Sequence, residues 1–238
     1  MTDFSNVQAL VFDTYGTVVD WRGTMIAEGE ALNIRKSLNV DWAAFAAEWK
    51  SHYRPAMDAV NADERPWTKV EAIYREKLED MLPVYGLETL SAAEIDHLNR
   101  VWSRSLPWPD SRAGLKRMKS KFVLSTLSNG DFIWLAQMAK LGDLPWDCIL
   151  CAENAKRYKP APEIYEMAIE LLGPAPDQVM LVACHNYDLK AARGHGMRTA
   201  FVPRSYEFGA GQKTDLNAEE DWDIVAENLE DLATRLEC

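Results

Sequence analysis

The sequence predicts an α/β protein whose core is a parallel β-sheet and whose first strand is followed by an inserted helical module. Short, almost continuously apolar segments recur along the chain, and strands covered on both faces of a sheet have this character. The interval between the first and second of these segments is about 100 residues, far longer than a plain strand-to-strand crossover. That interval must therefore have a structure of its own.

The predicted strands follow one another in a regular order. They lie in ALVFDTYG, KFVLSTLSNG, DCILCAENA, VMLVACHNYD and RTAFVPR. Two later segments, PEIYEMAIELLG and DLKAARGHG, predict crossover helices; Pro162 lies near the first turn of the former, and Gly173 is its stop signal. The last segment, DIVAENLEDLATRLEC, predicts a short strand and a terminal helix.

The inserted module runs from Trp21 to about Trp108. It is rich in Ala, Glu, Trp, Met and Leu at helical spacing, as in DWAAFAAEWKSHYRPAMDAV. We therefore assign residues 1–19 and 106–238 to a core domain and residues 20–105 to a helical cap domain. Within the cap, Pro55 predicts a helix break directly after Arg54.

Charge and hydropathy exclude several kinds of partner. The 238 residues include 26 basic and 37 acidic side chains, a net charge of −11, which argues against binding to nucleic acid or to an anionic membrane. No apolar run approaches the roughly 20 residues that span a bilayer. The N-terminus also lacks a basic region followed by an apolar one, so we expect a cytoplasmic protein.

Cysteine usage agrees with a reducing compartment. Four cysteines in a chain of this length make no disulfide framework. Cys148 and Cys151 form a C-x-x-C motif, but no second ligand pair accompanies it, so we interpret both as small core residues and not as a zinc site.

Polar side chains follow four of the predicted strands. Because the carboxyl ends of parallel strands converge on one crevice, these side chains should meet. One such residue alone is more often a turn or cap residue, but four groups in strand order favour a nucleophile site. The residues are Asp13, Tyr15 and Thr17, then Ser128 and Asn129, then Lys159, then His185, Asn186 and Asp188.

In this order, the motifs FDTYGT, LSNG, YKP and CHNYD resemble those of the haloacid dehalogenase superfamily. The resemblance implies a Rossmann-like parallel sheet core with an inserted helical cap domain, and it makes Asp13 the nucleophile. Magnesium-dependent phosphatases of that superfamily carry a second Asp two residues after the nucleophile, where this chain has Tyr15, and an acidic metal ligand where it has Cys184. Both departures argue against magnesium-dependent phosphoryl transfer.

The D-x-Y-G-T pattern is instead similar to the type II 2-haloacid dehalogenases, which need neither a metal nor an organic cofactor. The resemblance implies that Asp13 displaces halide from a 2-haloacid of two or three carbons, such as a haloacetate or 2-halopropionate. Water would then hydrolyse the aspartyl ester to a 2-hydroxy acid. The implied partners are this small substrate, the halide ion and a second copy of the chain in a homodimer, and the expected enantiomer is S (L).

The resemblance also implies roles for the other strand-end residues. Lys159 would lower the pKa of Asp13, Asp188 would orient Lys159 and the hydrolytic water, and Tyr165 would join this network. Thr17 and Ser128 would supply donors, although helix capping explains either equally well. The remaining contacts to substrate or halide would come from Asn129, Thr14, Tyr15, Asn186 and Tyr187.

Three further positions carry open alternatives. Lys50 occupies the place of the cap arginine that receives halide in the better-known members, and Arg54 lies one helical turn away; either could enter the site or lie on a solvated helix face. His185 could donate to a leaving fluoride, as in a fluoroacetate-active sub-branch, or act as a neutral residue behind the site. Trp67 is a pocket wall or, more often for such a residue, core packing.

The sequence favours a 2-haloacid dehalogenase, either of general type or with a preference for haloacetate or fluoroacetate. Two rival functions remain open. One is a phosphatase of the same superfamily. The other is a weakly active binding protein that keeps the fold after losing the cap arginine.

Overall fold

The computed structural model describes residues 4–238, so residues 1–3 of the predicted core domain lie outside the described residues. It confirms the predicted α/β fold. Six parallel strands form one sheet in the order β5-β4-β1-β6-β7-β8. They are β1 (Ala9–Phe12), β4 (Val123–Ser128), β5 (Cys148–Cys151), β6 (Val179–Ala183), β7 (Arg198–Phe201) and β8 (Ile224–Val225).

Strand β1 lies in the middle of the sheet, between β4 and β6. Its residues are all buried, and Phe12 pairs with Thr126 on one side and Val182 on the other. Asp13 therefore emerges at the centre of the edge where the carboxyl ends of the strands meet, which is the usual ligand-binding edge of an open parallel sheet.

Helices alternate with the strands of the large sheet along the chain. Pro162 is the first residue of its helix, and Gly173 ends that helix in a left-handed conformation with φ of 88°, as the sequence predicts. The helices are α6 (Ser111–Met118), α7 (Phe132–Gly142), α8 (Ala152–Ala155), α9 (Pro162–Leu172), α10 (Asn186–Gly194) and α11 (Leu229–Arg235).

A helical segment lies between β1 and α6, with a short two-stranded ribbon at its two ends. The ribbon pairs β2 (Val19–Asp20) with β3 (Leu106–Pro107) in antiparallel fashion. Its helices are α1 (Trp21–Lys36), α2 (Trp42–Ser51), α3 (Tyr53–Asn61), α4 (Val70–Val84) and α5 (Ala92–Asn99), followed by a 3₁₀ turn at Arg100–Arg104. None of the described helices is both long enough and apolar enough to span a bilayer.

The expected helix break after Arg54 is wrong. Helix α2 ends at Ser51, before Arg54, and Pro55 is the third residue of α3. Proline is tolerated there because the first amide groups of a helix have no carbonyl partner within it. The proline therefore helps to start a helix, and Arg54 belongs to the first turn of that helix.

Buried aromatic side chains form the centre of the helical segment. Tyr74 stacks on Trp102 with ring centroids 4.0 Å apart, and the Trp49 indole donates to the Tyr74 carbonyl at 2.8 Å. Tyr15, just beyond β1, meets Trp102 edge-on at 6.3 Å. The aromatic packing is thus continuous from the helical segment to the first strand of the sheet.

Polar contacts also join the helical segment to the sheet. The Asn61 amide donates to the Tyr158 carbonyl and accepts from the Tyr158 amide, both at 2.9 Å. The Asp131 carboxylate accepts from the first amides of α4, Val70 at 3.2 Å and Glu71 at 2.8 Å. Burial raises the pKa of Asp131 to about 6. These contacts hold the helices over the carboxyl ends of the strands.

Candidate active site

Asp13 is held by donors at both of its carboxylate oxygens. The ammonium group of Lys159 donates to Oδ1 at 2.8 Å, and the hydroxyl of Thr17 donates to Oδ2 at 2.7 Å. The Thr17 hydroxyl in turn accepts from the amide of Cys184 at 2.9 Å. Thr17 therefore fixes the carboxylate relative to the end of β6.

Charge pairing keeps Asp13 ionised in spite of its burial. Burial by itself raises the pKa of Asp13, but Lys159 and His185 outweigh it and hold that pKa well below its usual range. The same pairing works in reverse for Lys159: burial lowers the pKa of its ammonium group, and the carboxylates of Asp13 and Asp188 raise it well above its usual range. The site thus contains a desolvated carboxylate anion.

Asp188 and Tyr165 lie behind Lys159, away from the cavity. Asp188 is fully buried, and one of its oxygens accepts from the Lys159 ammonium group while the other accepts from the Tyr165 hydroxyl at 2.6 Å. Burial and the nearby Asp13 charge raise the pKa of Asp188. The backbone amide of Lys159 donates to the Asn129 side chain at 2.7 Å, which fixes the loop that carries the lysine.

His185 lies on the other flank of Asp13, between two carboxylates. Its Nδ1 is 3.2 Å from Asp13 Oδ2, and its Nε2 is 2.9 Å from Glu207 Oε2. Burial lowers the pKa of His185, but Cys184, Glu207 and Asp13 outweigh it and raise that pKa well above its usual range. Of the two alternatives for His185, these neighbours favour a protonated imidazole beside the nucleophile over a neutral residue behind the site.

Glu207 is a site residue that the sequence analysis missed. It is 1% exposed, and its other oxygen accepts from the Trp21 indole at 3.0 Å. Burial raises the pKa of Glu207, but the nearby His185 outweighs burial, so that pKa lies below its usual value. A Cβ at Gly16, where φ is 93°, would lie 2.3 Å from this carboxylate, so the turn after β1 needs glycine.

A cavity of about 410 Å³ opens in front of Asp13. The strand ends and the inserted helical segment both contribute to its wall. The residues from the sheet side include Asp13, Tyr15, Ser128, Asn129, His185, Tyr187 and Glu207, and those from the helical segment include Trp21, Arg22, Lys50, Tyr53 and Arg54.

Both cap cations line this cavity, but their surroundings differ. The Lys50 ammonium group lies 4.1 Å from the ring centroid of Tyr53 and 5.2 Å from that of Trp21, and burial lowers its pKa. Arg54 is 43% exposed, pairs with Asp58 at 3.1 Å, and lies 4.8 Å from the ring of Tyr187. Both Lys50 and Arg54 therefore reach the site, and neither lies only on a solvated helix face. Lys50 is the more enclosed of the two.

Three predicted substrate contacts do not reach the cavity wall. Trp67 stacks on Tyr158 at 4.9 Å, which agrees with the packing alternative. The Asn186 side chain donates to Asp215 at 2.9 Å and accepts from the Trp222 indole, so it holds the C-terminal loop. Thr14 is buried within the turn after β1.

Ser128 and Tyr15 do line the cavity, as predicted. The Ser128 hydroxyl accepts from the Gly130 amide at 3.1 Å, so it stabilises the turn after β4 as well. The Tyr15 hydroxyl is buried without a hydrogen-bond partner among the described residues. Burial also raises the pKa of Tyr15 well above its usual range, so it remains a neutral phenol.

The donor set does not fit the magnesium site that the fold would otherwise suggest. Both oxygens of Asp13 already accept from an ammonium group and a hydroxyl, and both oxygens of Asp188 accept from Lys159 and Tyr165. The side chain four residues before Asp188 is the buried thiol of Cys184. Mg²⁺ requires hard oxygen ligands that are free to bind it.

Comparison with known proteins supports the same family. A family model described as haloacid dehalogenase-like hydrolase matches residues 7–196. The (S)-2-haloacid dehalogenase 4A of Burkholderia cepacia is 27% identical, over 94% of this chain and 97% of the relative.

Two solved structures are more similar. An L-2-haloacid dehalogenase is 40% identical with a TM-score of 0.94, over 97% of this chain and 99% of that chain. A defluorinating L-2-haloacid dehalogenase is 39% identical with a TM-score of 0.94, over 98% of this chain and 96% of that chain.

Proposed function

The chain belongs to the haloacid dehalogenase-like hydrolase family, and from that premise we propose that it is an (S)-2-haloacid dehalogenase. It hydrolyses haloacetates and 2-halopropionates to 2-hydroxy acids, with Asp13 as the nucleophile. The observation that carries the proposal is a buried carboxylate, held anionic by Lys159, at the floor of a cavity of about 410 Å³. Similarity to an L-2-haloacid dehalogenase at 40% identity over nearly the whole chain supports it.

In the first step, a carboxylate oxygen of Asp13 attacks C2 of the substrate from the side opposite the halogen. A new C–O bond forms, and the carbon–halogen electron pair leaves with the halide, so C2 is inverted. The nucleophile is already desolvated and oriented by Lys159 and Thr17, which removes the cost of arranging it during the reaction.

In the second step, water attacks the carbonyl carbon of the Asp13 ester. The ester's carbonyl oxygen, which is the Asp13 oxygen that did not attack C2, becomes an oxyanion. Its own donor is in place to stabilise it, either Lys159, 2.8 Å from Oδ1, or Thr17, 2.7 Å from Oδ2. Asp188 holds Lys159 in position for both steps. The bond between the Asp13 carbonyl carbon and the oxygen on C2 then breaks; one proton of the water goes to that oxygen and the other is released to solvent. The 2-hydroxy acid leaves with its C2–O bond intact, and Asp13 is regenerated as a carboxylate that contains an oxygen from water.

Lys50 supplies the positive charge that the cap arginine supplies in the better-known members. The ammonium group of Lys50 lies against the rings of Tyr53 and Trp21. Among the described residues, no carboxylate lies within ion-pair distance of it. A substrate carboxylate or a departing halide would compensate that charge. Residues 20–105 then serve as a cap domain that closes the cavity over the nucleophile and keeps water away during displacement.

The proposal includes turnover without a metal, a homodimeric state and a cytoplasmic location. Metal-independent turnover is supported by the donor set around Asp13, in which an ammonium group and a hydroxyl take the carboxylate oxygens. A reducing location is compatible with four free cysteines. The homodimer rests on the family resemblance.

A preference for haloacetates, including fluoroacetate, is the second candidate. Fluoride is small and accepts strong hydrogen bonds, and the cationic His185 lines the cavity next to Asp13. The defluorinating L-2-haloacid dehalogenase at 39% identity supports it.

Halide release under chelator tests the proposal. We expect the enzyme to release halide from at least one of 2-chloropropionate, bromoacetate and fluoroacetate, and the Asp13→Asn variant to lose about 10⁴-fold or more of that rate because it lacks the nucleophile. In single turnover in ¹⁸O-water, the label should enter Asp13 and not the product. No halide from any of the three substrates, or magnesium-dependent release of phosphate from p-nitrophenyl phosphate, would overturn the assignment.

A further inference from the structure

Three different metal-ligating atoms meet on the outer side of His185. They are the thiol of Cys184, the Nε2 atom of His185 and a carboxylate oxygen of Glu207. The Sγ atom is 3.5 Å from Nε2 and 3.6 Å from the Glu207 oxygen, and Nε2 is 2.9 Å from that oxygen. The dehalogenation steps proposed above make no use of the thiol.

These separations match a tetrahedral zinc site. With zinc bonds of about 2.3 Å to sulfur and about 2.0 Å to nitrogen and oxygen, tetrahedral angles put sulfur about 3.5 Å from each of the other two donors, and nitrogen about 3.3 Å from oxygen. The three observed edges are within about 0.4 Å of these values. A cation could therefore sit just above the plane of the three donors with little rearrangement of the chain.

Neighbouring residues hydrogen-bond to the proposed ligands, as they do in known metal sites. A histidine that binds a metal usually donates its other ring N–H to a carboxylate, and Nδ1 of His185 faces Asp13 at 3.2 Å. The second oxygen of Glu207 accepts from the Trp21 indole at 3.0 Å, which fixes the plane of that carboxylate. His185 and Glu207 both line the cavity, so the fourth coordination position can face it.

We propose that Cys184, His185 and Glu207 form a binding site for a thiophilic divalent cation such as Zn²⁺, and that the bound cation inhibits the enzyme. Binding replaces the proton of the Cys184 thiol and the proton on Nε2 of His185, so two protons leave as one dication enters. The cation needs no redox partner. It differs from a catalytic magnesium ion in its ligands and in its effect on activity.

Inhibition follows from the position of the site. A carboxylate oxygen of Asp13 lies within 4.8 Å of the Cys184 sulfur and of a ring nitrogen of His185. A bound cation and its fourth ligand would occupy the cavity beside the nucleophile and would attract the Asp13 charge. Substrate approach and nucleophilic attack would both be weakened.

Cobalt binding tests the site without any assay of activity. The metal-free full-length protein is titrated with Co²⁺, and the near-ultraviolet charge-transfer band of a thiolate bound to cobalt is recorded. We expect one equivalent to bind and Zn²⁺ to displace it. Cys184→Ala should abolish the band, and Glu207→Gln should weaken binding by at least about tenfold because a charged ligand is lost. The matched control is Cys148→Ser, which should keep the band because Cys148 lies on β5, away from the site.

A band that persists in Cys184→Ala, or no saturable binding to the native enzyme, would overturn the proposal. If Cys184→Ala fails to fold, Cys184→Ser replaces it, because a serine hydroxyl gives no thiolate band. Zn²⁺ should also inhibit halide release by the native enzyme and inhibit the Cys184→Ser variant at least about tenfold more weakly. If bound Zn²⁺ leaves halide release unchanged, the inhibitory role is disproved. If the enzyme releases no halide at all, the proposed function is wrong, and the cobalt titration still tests the metal site.

Discussion

The two flanks of Asp13 hold the same carboxylate in different surroundings. On the inner flank, Lys159, Asp188 and Tyr165 form a network in which no member is more than 1% exposed. On the outer flank, His185, Glu207 and Lys50 line the cavity that substrate must enter. Both flanks alternate positive and negative groups, but only the outer flank lines the cavity.

This difference separates two tasks. The inner flank keeps the nucleophile ionised and oriented, so changes there should lower kcat. The outer flank receives the substrate and the halide, so changes there should alter KM, the response to pH and the preferred halogen. Four substitutions test that division, and the expected effects decrease from the first to the last.

Asp188→Asn should have the largest effect. The substitution keeps the shape of the side chain but leaves Lys159 with one carboxylate in place of two. Breaking a buried charge pair typically costs about 3–5 kcal/mol. If most of that cost falls on the orientation of Lys159, kcat should fall by about 10³-fold with little change in KM. A variant that keeps its kcat while KM rises would show that Asp188 acts on substrate binding. That result would contradict the division of tasks between the two flanks.

The inner flank is also the part that the sequence predicted best. Asp13, Lys159 and Asp188 each follow a strand, and the topology of a parallel sheet brings such residues together whatever the details of packing. The same rule applied to the end of β7 would have pointed to the loop that contains Glu207. That loop was missed because no motif identifies it.

The helical segment was predicted as a whole, but its side chains were not. Helical spacing does not tell whether Lys50 or Arg54 faces the cavity, because that depends on where α2 ends and α3 begins. Trp67 could not be assigned for a similar reason: its stacking on Tyr158 is a contact between distant parts of the chain. Long-range packing of this kind leaves no periodic signal in the sequence.

Lys50→Met should have the second-largest effect, with Arg54→Met as its matched control. Methionine keeps the apolar stem of Lys50 within the aromatic rings but removes its charge. A hydrogen bond to a charged group is worth about 1.5–3 kcal/mol, so KM for 2-chloropropionate should rise by about 10–100-fold. Arg54→Met should raise KM by less than about threefold, because Arg54 is exposed and paired with Asp58. The reverse ranking would assign the role of the cap cation to Arg54.

Glu207→Gln should give a smaller, pH-dependent effect, measured in the presence of a chelator. Glutamine can still accept from the Trp21 indole, but it removes the Glu207 charge, which together with Cys184 and Asp13 raises the pKa of His185. In the native enzyme that pKa is raised, so the imidazole stays protonated at neutral pH and loses its proton only as the pH rises through the raised value. In the variant this loss moves to lower pH. We expect halide release to fall by roughly tenfold near pH 8 and to recover towards pH 6, whereas a uniform loss at all pH values would indicate a purely structural role.

Tyr165→Phe should have the smallest effect on catalysis, because Tyr165 acts on Asp13 only through Asp188 and Lys159. The substitution removes the hydroxyl that donates to Asp188 at 2.6 Å and leaves the ring stacked on His195. An unsatisfied buried acceptor costs about 1–3 kcal/mol, so the melting temperature should fall, while kcat should fall by less than about tenfold. The double variant with Asp188→Asn then distinguishes two versions of the inner flank. If Tyr165 acts only through the Asp188 charge, the double variant should be no slower than Asp188→Asn alone, whereas multiplied losses in kcat would mean that the phenol reaches Lys159 by a second route.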